Sequence, residues 1–122
     1  MVVGELNGKP LTDYSSVACW MGSASTDPIR ARIRKRELVV LEDFCVYQQN
    51  DPDTIIATAR ADRDVKNEYM RSLKRWVASY APEGRERHEA ENAIRSFFIA
   101  NGMRVIAKPY SDVYHRAESE IG

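Results

Sequence analysis

The sequence predicts an all-α domain, a small bundle of four to five helices with a short β-hairpin as an option at its N-terminus. Three observations carry this. Apolar residues recur by threes and fours over long stretches, most clearly at Val65, Tyr69, Leu73, Trp76, Val77 and Tyr80. Aspartates that cap helices stand at their starts, in Asp27-Pro28, in Asn50-Asp51-Pro52-Asp53, and at Asp62 or Asp64. Asn101-Gly102 closes the last apolar run with a helix stop.

At the N-terminus, Val2, Val3, Leu6 and Leu11 surround Asn7-Gly8, a two-residue hairpin signal. Pro10 would have to lie at an edge. A small hairpin and an arm without regular structure are both open readings, and residues 1–26 are taken as an N-terminal extension. Trp20 and Met21 sit among small residues in SSVACWMGSAST, where they could tuck the arm against the body. Trp20 is the aromatic expected to be exposed and able to anchor a partner.

From Asp27-Pro28 the run IRARIRKRELVVLEDFCVYQQN places Ile29, Ile33, Leu38, Leu41, Phe44 and Cys45 close to one helical face. Val39, Val40 and Val46 favour a strand for its second half. No turn signal divides the run, so one helix is preferred. Asn50-Asp51-Pro52-Asp53 breaks the chain and caps a short helix through Thr54, Ile55, Ile56 and Ala59. Asp62 or Asp64 starts the clearest amphipathic helix, which Ala81-Pro82-Glu83-Gly84 ends. A last helix over 85–101 buries Ala90, Ala93, Ile94, Phe97 and Phe98. Met103, Val105 and Ile106 form an apolar exit, so the helical domain spans 27–106 and a polar tail 107–122.

The 122 residues fit one domain with its own core. Charged residues make up 30%, so the surface should be densely charged. Lys+Arg and Asp+Glu both total 18, which removes any whole-chain electrostatic case for nucleic acid and leaves only local basic surface. Cys19 and Cys45 lie far apart in no metal-ligand spacing, which suits a reduced setting. The start MVVGELNGKP has neither a basic beginning nor an apolar run. No stretch approaches the ~20 apolar residues a membrane span needs. A cytoplasmic protein with no membrane association is expected.

Chemistry is sparse. Arg30, Arg32, Arg34, Lys35 and Arg36 form a basic run with no acid among residues 28–36. Cations near a helix start oppose its dipole, at about 0.3–1 kcal/mol each. A phosphate backbone would turn that cost into binding. The alternatives are a solvated face paired with Glu37, Glu42 and Asp43, or a protein partner. Arg60, Arg63, Lys66, Arg71, Lys74 and Arg75 alternate with Asp62, Asp64 and Glu68, as on an ion-pair-laced helix surface. His88-Glu89-Ala90-Glu91-Asn92 nearly spells a zinc-protease helix, but Asn92 replaces the second histidine. His88 and His115 are the only histidines, so no catalytic metal site, no cofactor and no catalytic residues are expected. Cys45 falls on the core face and reads as packing. No nucleophile, base and orienting group assemble into an enzyme site.

Three segments stand in order: RKRELVVLEDFCVYQQNDPDTII, DRDVKNEYMRSLKRWVASYAP and ENAIRSFFIANGMRV. Leu38, Leu41 and Phe44 make a spaced Leu, Leu, Phe pattern, followed by Asp51, Pro52, Ile55 and Ile56. Ala93, Ile94, Arg95, Ser96, Phe97, Phe98, Asn101 and Gly102 make the most specific signature. Over roughly residues 28–106 this order resembles the N-terminal core-binding domain of tyrosine recombinases and phage integrases, archaeal-type ones especially.

The resemblance implies a SAM-like bundle that clamps one side of double-stranded DNA, opposite a catalytic domain. It implies contacts from the start of the first helix, here Arg34, Lys35 and Arg36, and from the start of the last, here Arg85, Arg87 and His88. The family often has Ser or Thr at the start of that last helix; GRERHEAE stands there instead. The catalytic domain would not fit after Val105, and Tyr114-His115-Arg116 resembles a recombinase site in composition only. A non-catalytic DNA-binding domain is therefore expected. The alternative is a protein-interaction module or homodimer using Trp20, Met21, Met103 and the tail.

Overall fold

The computed structural model describes residues 5–6, 8–23, 26–81 and 83–105. The expectations for Ile106 and for the tail, including Tyr114-His115-Arg116, lie outside them. Two two-residue strands, β1 (Glu5–Leu6) and β2 (Lys9–Pro10), pair antiparallel with Glu5 opposite Pro10 and Leu6 opposite Lys9. Gly8 takes a φ of 73° in the turn, which a side chain would resist. A 3-10 turn (Leu11–Asp13) leads into α1 (Ser15–Gly22). Then come α2 (Pro28–Gln48), α3 (Pro52–Ala61), α4 (Arg63–Tyr80) and α5 (Arg85–Ala100). The fold is a small all-α bundle, and no helix among the described residues is long and apolar enough to cross a membrane.

The aspartate starts form as read. Asp27 Oδ1 accepts from the amides of Ile29 at 2.9 Å and Arg30 at 3.4 Å. Asp51 Oδ1 accepts from Thr54 N at 2.7 Å, and Asp62 Oδ1 from Asp64 N at 2.8 Å. Each satisfies an amide that the first helical turn leaves without a partner. The strand alternative for the second half of α2 does not occur. That helix runs unbroken to Gln49, whose left-handed backbone (φ 58°) closes it with amide bonds to Cys45 O and Val46 O.

The core is built from all five helices. Leu41, Phe44 and Cys45 come from α2, Ile55, Ile56 and Ala59 from α3, and Tyr69, Leu73, Trp76 and Val77 from α4. Ala90, Ala93, Ile94, Phe97 and Phe98 from α5 are buried as predicted. Phe44 and Trp76 meet edge to face at 5.3 Å, tying α2 to α4.

Two expectations fail. Residues 11–22 are not an arm: Leu11, Tyr14, Val17 and Trp20 belong to the same core cluster, so the domain body begins at Leu11. Trp20 is 0% exposed; its ring meets Phe97 edge to face at 5.8 Å and its Nε1 donates to Ser96 Oγ at 3.0 Å. It anchors the domain internally, where its ring is covered and its indole N–H has a partner. Met103 is likewise buried and Met21 half-buried, so of the contact points expected for a protein partner Trp20 and Met103 are inside, and the tail lies outside the described residues.

The second failure is at the start of α2. Ile29 is 70% exposed and Ile33 41%, against the expectation of core. From Pro28 to Val40 no residue is fully buried, and burial begins at Leu41. Helical periodicity identified a stripe correctly, but no neighbour among the described residues buries this part of it.

Candidate nucleic-acid interface

The first half of α2 carries the predicted basic residues, and their environments divide them. Arg32, Lys35 and Arg36 are exposed and form no ion pair among the described residues. Spaced by three and four, they share the outer face of the helix. Arg30 is exposed and lies 3.9 Å from Asp27, a loose contact.

Arg34 is different and leaves the predicted set. Its Nη1 donates to Trp20 O at 2.7 Å and Ser23 Oγ at 3.2 Å. Its guanidinium lies over the Trp20 ring, 4.7 Å from the centroid. Nε stands 3.2 Å from Glu37 Oε1 yet has no well-directed hydrogen bond, so this contact is an ion pair by proximity. Burial lowers the Arg34 pKa and raises that of Glu37, and their mutual attraction only partly offsets this. Arg34 is thus a strut that holds the end of α1 against α2.

The start of α5 divides in the same way. Arg85 is exposed and pairs with Glu89 at 3.0 Å. Arg87 donates to Ala81 O at 3.3 Å and Ala78 O at 3.1 Å, satisfying carbonyls at the end of α4. His88 Nε2 lies 3.1 Å from Asn92 Nδ2, and the ring is half-buried. Arg87 and His88 are therefore committed within the fold.

Packing of α2 on α5 brings the two predicted sources of contact together. An open groove of about 760 Å³ runs between them, with Arg36 and Arg85 on its rim. Ile33, Val40, Ala90 and Ala93 give it an apolar floor. Glu37, Glu86 and Glu89 also line it, so its charge is mixed. The sequence reading missed this apolar floor because it placed Ile33 in the core.

Elsewhere the ion-pair reading of α4 holds only in part. Glu68 binds Arg75 at 3.0 Å and Arg71 at 2.9 Å, and these donors hold its carboxyl below the usual range. Arg60, Arg63 and Lys66 form no ion pair among the described residues. Cys45 is buried, which pushes its thiol far above the range where it ionises. Among the described residues, no group of three or more His, Cys, Asp or Glu side chains is placed to hold a metal ion.

No family model, curated protein or solved structure matches this chain.

Proposed function

We propose that this chain is a non-catalytic domain of the SAM-like, core-binding kind that contacts the phosphates of double-stranded DNA. The exposed face of α2 supplies Arg32, Lys35 and Arg36, with Arg30 beside them, and the start of α5 supplies Arg85. The observation that carries the reading is the exposed row Arg32, Lys35 and Arg36, without an ion pair among the described residues, whose Arg36 lines one groove together with Arg85. Phosphate oxygens would supply acceptors to Arg32, Lys35 and Arg36, would compete with Glu89 for Arg85, and would release counterions on contact. The order of segments shared with tyrosine recombinases supports it from the sequence side.

Fluorescence anisotropy of a labelled duplex tests it, at low and moderate salt. Wild type should bind, and binding should weaken steeply as salt rises. The variant Arg32→Ala/Lys35→Ala/Arg36→Ala should bind less, with its salt slope reduced by roughly 0.9 for each phosphate it no longer neutralises. Absence of binding at low salt defeats the reading.

A second reading has its own observation. Ile29, Ile33 and Val40 lie along α2 at intervals of four and seven, and Ile33 and Val40 line the groove. An apolar face of this kind suits a protein partner that lays an amphipathic helix into the groove. Substituting Ile29→Asp and Ile33→Asp would abolish such binding while leaving DNA contact by the outer face.

A further inference from the structure

At the opposite end of α5 the chain builds a second basic surface. The end of α3, the start of α4 and the segment after α5 meet around a small open cleft of about 270 Å³. Arg60, Arg63, Lys66 and Arg104 line it over a floor that includes Ala59 and Met103. No acidic residue is among its described lining. The nearest cap carboxylate in sequence, Asp62, is committed to the Asp64 amide.

Two of the four cations are held by backbone carbonyls. Arg60 Nη2 donates to Asn101 O at 2.7 Å, and Lys66 Nζ to Arg104 O at 3.1 Å. Each bond fixes the side chain at the cleft and leaves its other N–H donors uncommitted. Arg63 and Arg104 are exposed and form no hydrogen bond or ion pair among the described residues. Gly102, at φ 85°, turns the chain so that Met103 is buried and Arg104 reaches the rim. Four like charges from three segments repel one another, and none of the four forms an ion pair among the described residues.

We propose that this cleft is a binding site for a phosphate group. A tetrahedral oxyanion offers several acceptors to donors arriving from three directions, and guanidinium forks match its geometry. The opening suits either a phosphate carried on a nucleic-acid strand or a free phosphate. The site lies about 24 Å from the start of α5, taking 1.5 Å per residue along the helix. It stands independently of the α2 surface.

The test is a titration of the full ¹⁵N-labelled chain, followed by amide shifts, with inorganic phosphate in one arm and a short DNA duplex in the other. Gly102 and Met103 are the reporters. The comparison variant is Arg63→Ala/Arg104→Ala, which removes no described hydrogen bond. Phosphate should shift the reporters saturably in wild type, at least about tenfold more weakly in the variant. If the duplex shifts them too, with the same loss in the variant, the source is a nucleic-acid backbone. If phosphate alone does so, the source is a free phosphate. Reporters that stay still in both arms, or that shift equally in the variant, overturn the proposal. Failure of the α2 reading would show instead at Arg32, Lys35 and Arg36 and leave these reporters unchanged.

Discussion

The Asp53 carboxylate, on α3, caps the first turn of α1 through Ser16, although the two residues belong to different helices. Its Oδ1 accepts from Ser16 Oγ at 2.6 Å and Ser16 N at 2.9 Å, and its Oδ2 from Ser15 N and Oγ, both at 3.3 Å. The residue before α1 is Tyr14, which provides no side-chain cap of its own. Docking of α1 on α3 therefore supplies what a local aspartate supplies for α2, α3 and α4.

Asp53→Ala should destabilise the domain by about 1 kcal/mol, the ordinary worth of a helix cap. Urea denaturation measures it, and loosening of α1 should shift Trp20 emission to the red before global unfolding. An unchanged midpoint would mean that α1 is held by its apolar face alone.

The same carboxyl gives a pH dependence. Burial raises its pKa, but the four donors from Ser16 and Ser15 outweigh that and hold it below the ordinary value. The folded state then binds fewer protons than the unfolded chain in acid. The contribution is whole above about pH 4 and fades as pH falls through the lowered native value. The stability difference between wild type and Asp53→Asn should therefore be largest near neutrality and shrink toward pH 3.

Arg34 and Arg32 are two positions apart and should behave oppositely. Arg34→Ala removes a charged hydrogen bond to Trp20 O and a cation–ring contact, at a cost of roughly 1–3 kcal/mol. Arg32→Ala should leave the thermal midpoint within error. If Arg34→Ala weakens duplex binding at a temperature where it is fully folded, its assignment as a strut is wrong.

The cysteines should differ in reactivity. Cys19 is exposed, while Cys45 is buried with its thiol held protonated. Iodoacetamide on the native protein should label Cys19 alone, as read by mass, and label both in urea. Native labelling of Cys45 would mean that the core between α2 and α4 opens readily.

Arg87→Ala should cost about 1 kcal/mol by freeing the carbonyls of Ala78 and Ala81, with duplex binding unaltered once that effect is allowed for. A fall in affinity without a fall in stability would return Arg87 to the interface.

The starts of α2, α3 and α4 were legible because each has an aspartate beside the amides it caps, and the end of α5 because Gly102 follows its last turn. Helix α1 was not, because its cap lies 37 positions away at Asp53 and its sequence is mostly small residues with weak periodicity. Trp20 was misjudged for the same reason, since its partners Phe97 and Ser96 come from the other end of the chain. Periodicity also cannot tell whether a stripe meets a neighbour, which is why Ile29 and Ile33 read as core. Among the basic residues, composition could not separate Arg34 and Arg87, spent on backbone carbonyls, from Arg32, Lys35 and Arg36. Arg104 escaped notice because only the turn at Gly102 brings it beside Arg60 and Arg63.

Asn101 Nδ2 donates to Ser16 O at 3.1 Å and to Phe97 O at 2.9 Å, so the last helical turn clasps the first helix. The contacts that seat α1 close loops of 76 and 85 residues. Such distant pairings are the slow part of assembly, since the chain must lose most of its freedom before they form. On a ribosome, Trp20 leaves the exit tunnel long before Phe97 exists to receive it. Synthesis of α5 is thus the event that lets the domain lock, and until then the N-terminal segment carries an unburied tryptophan.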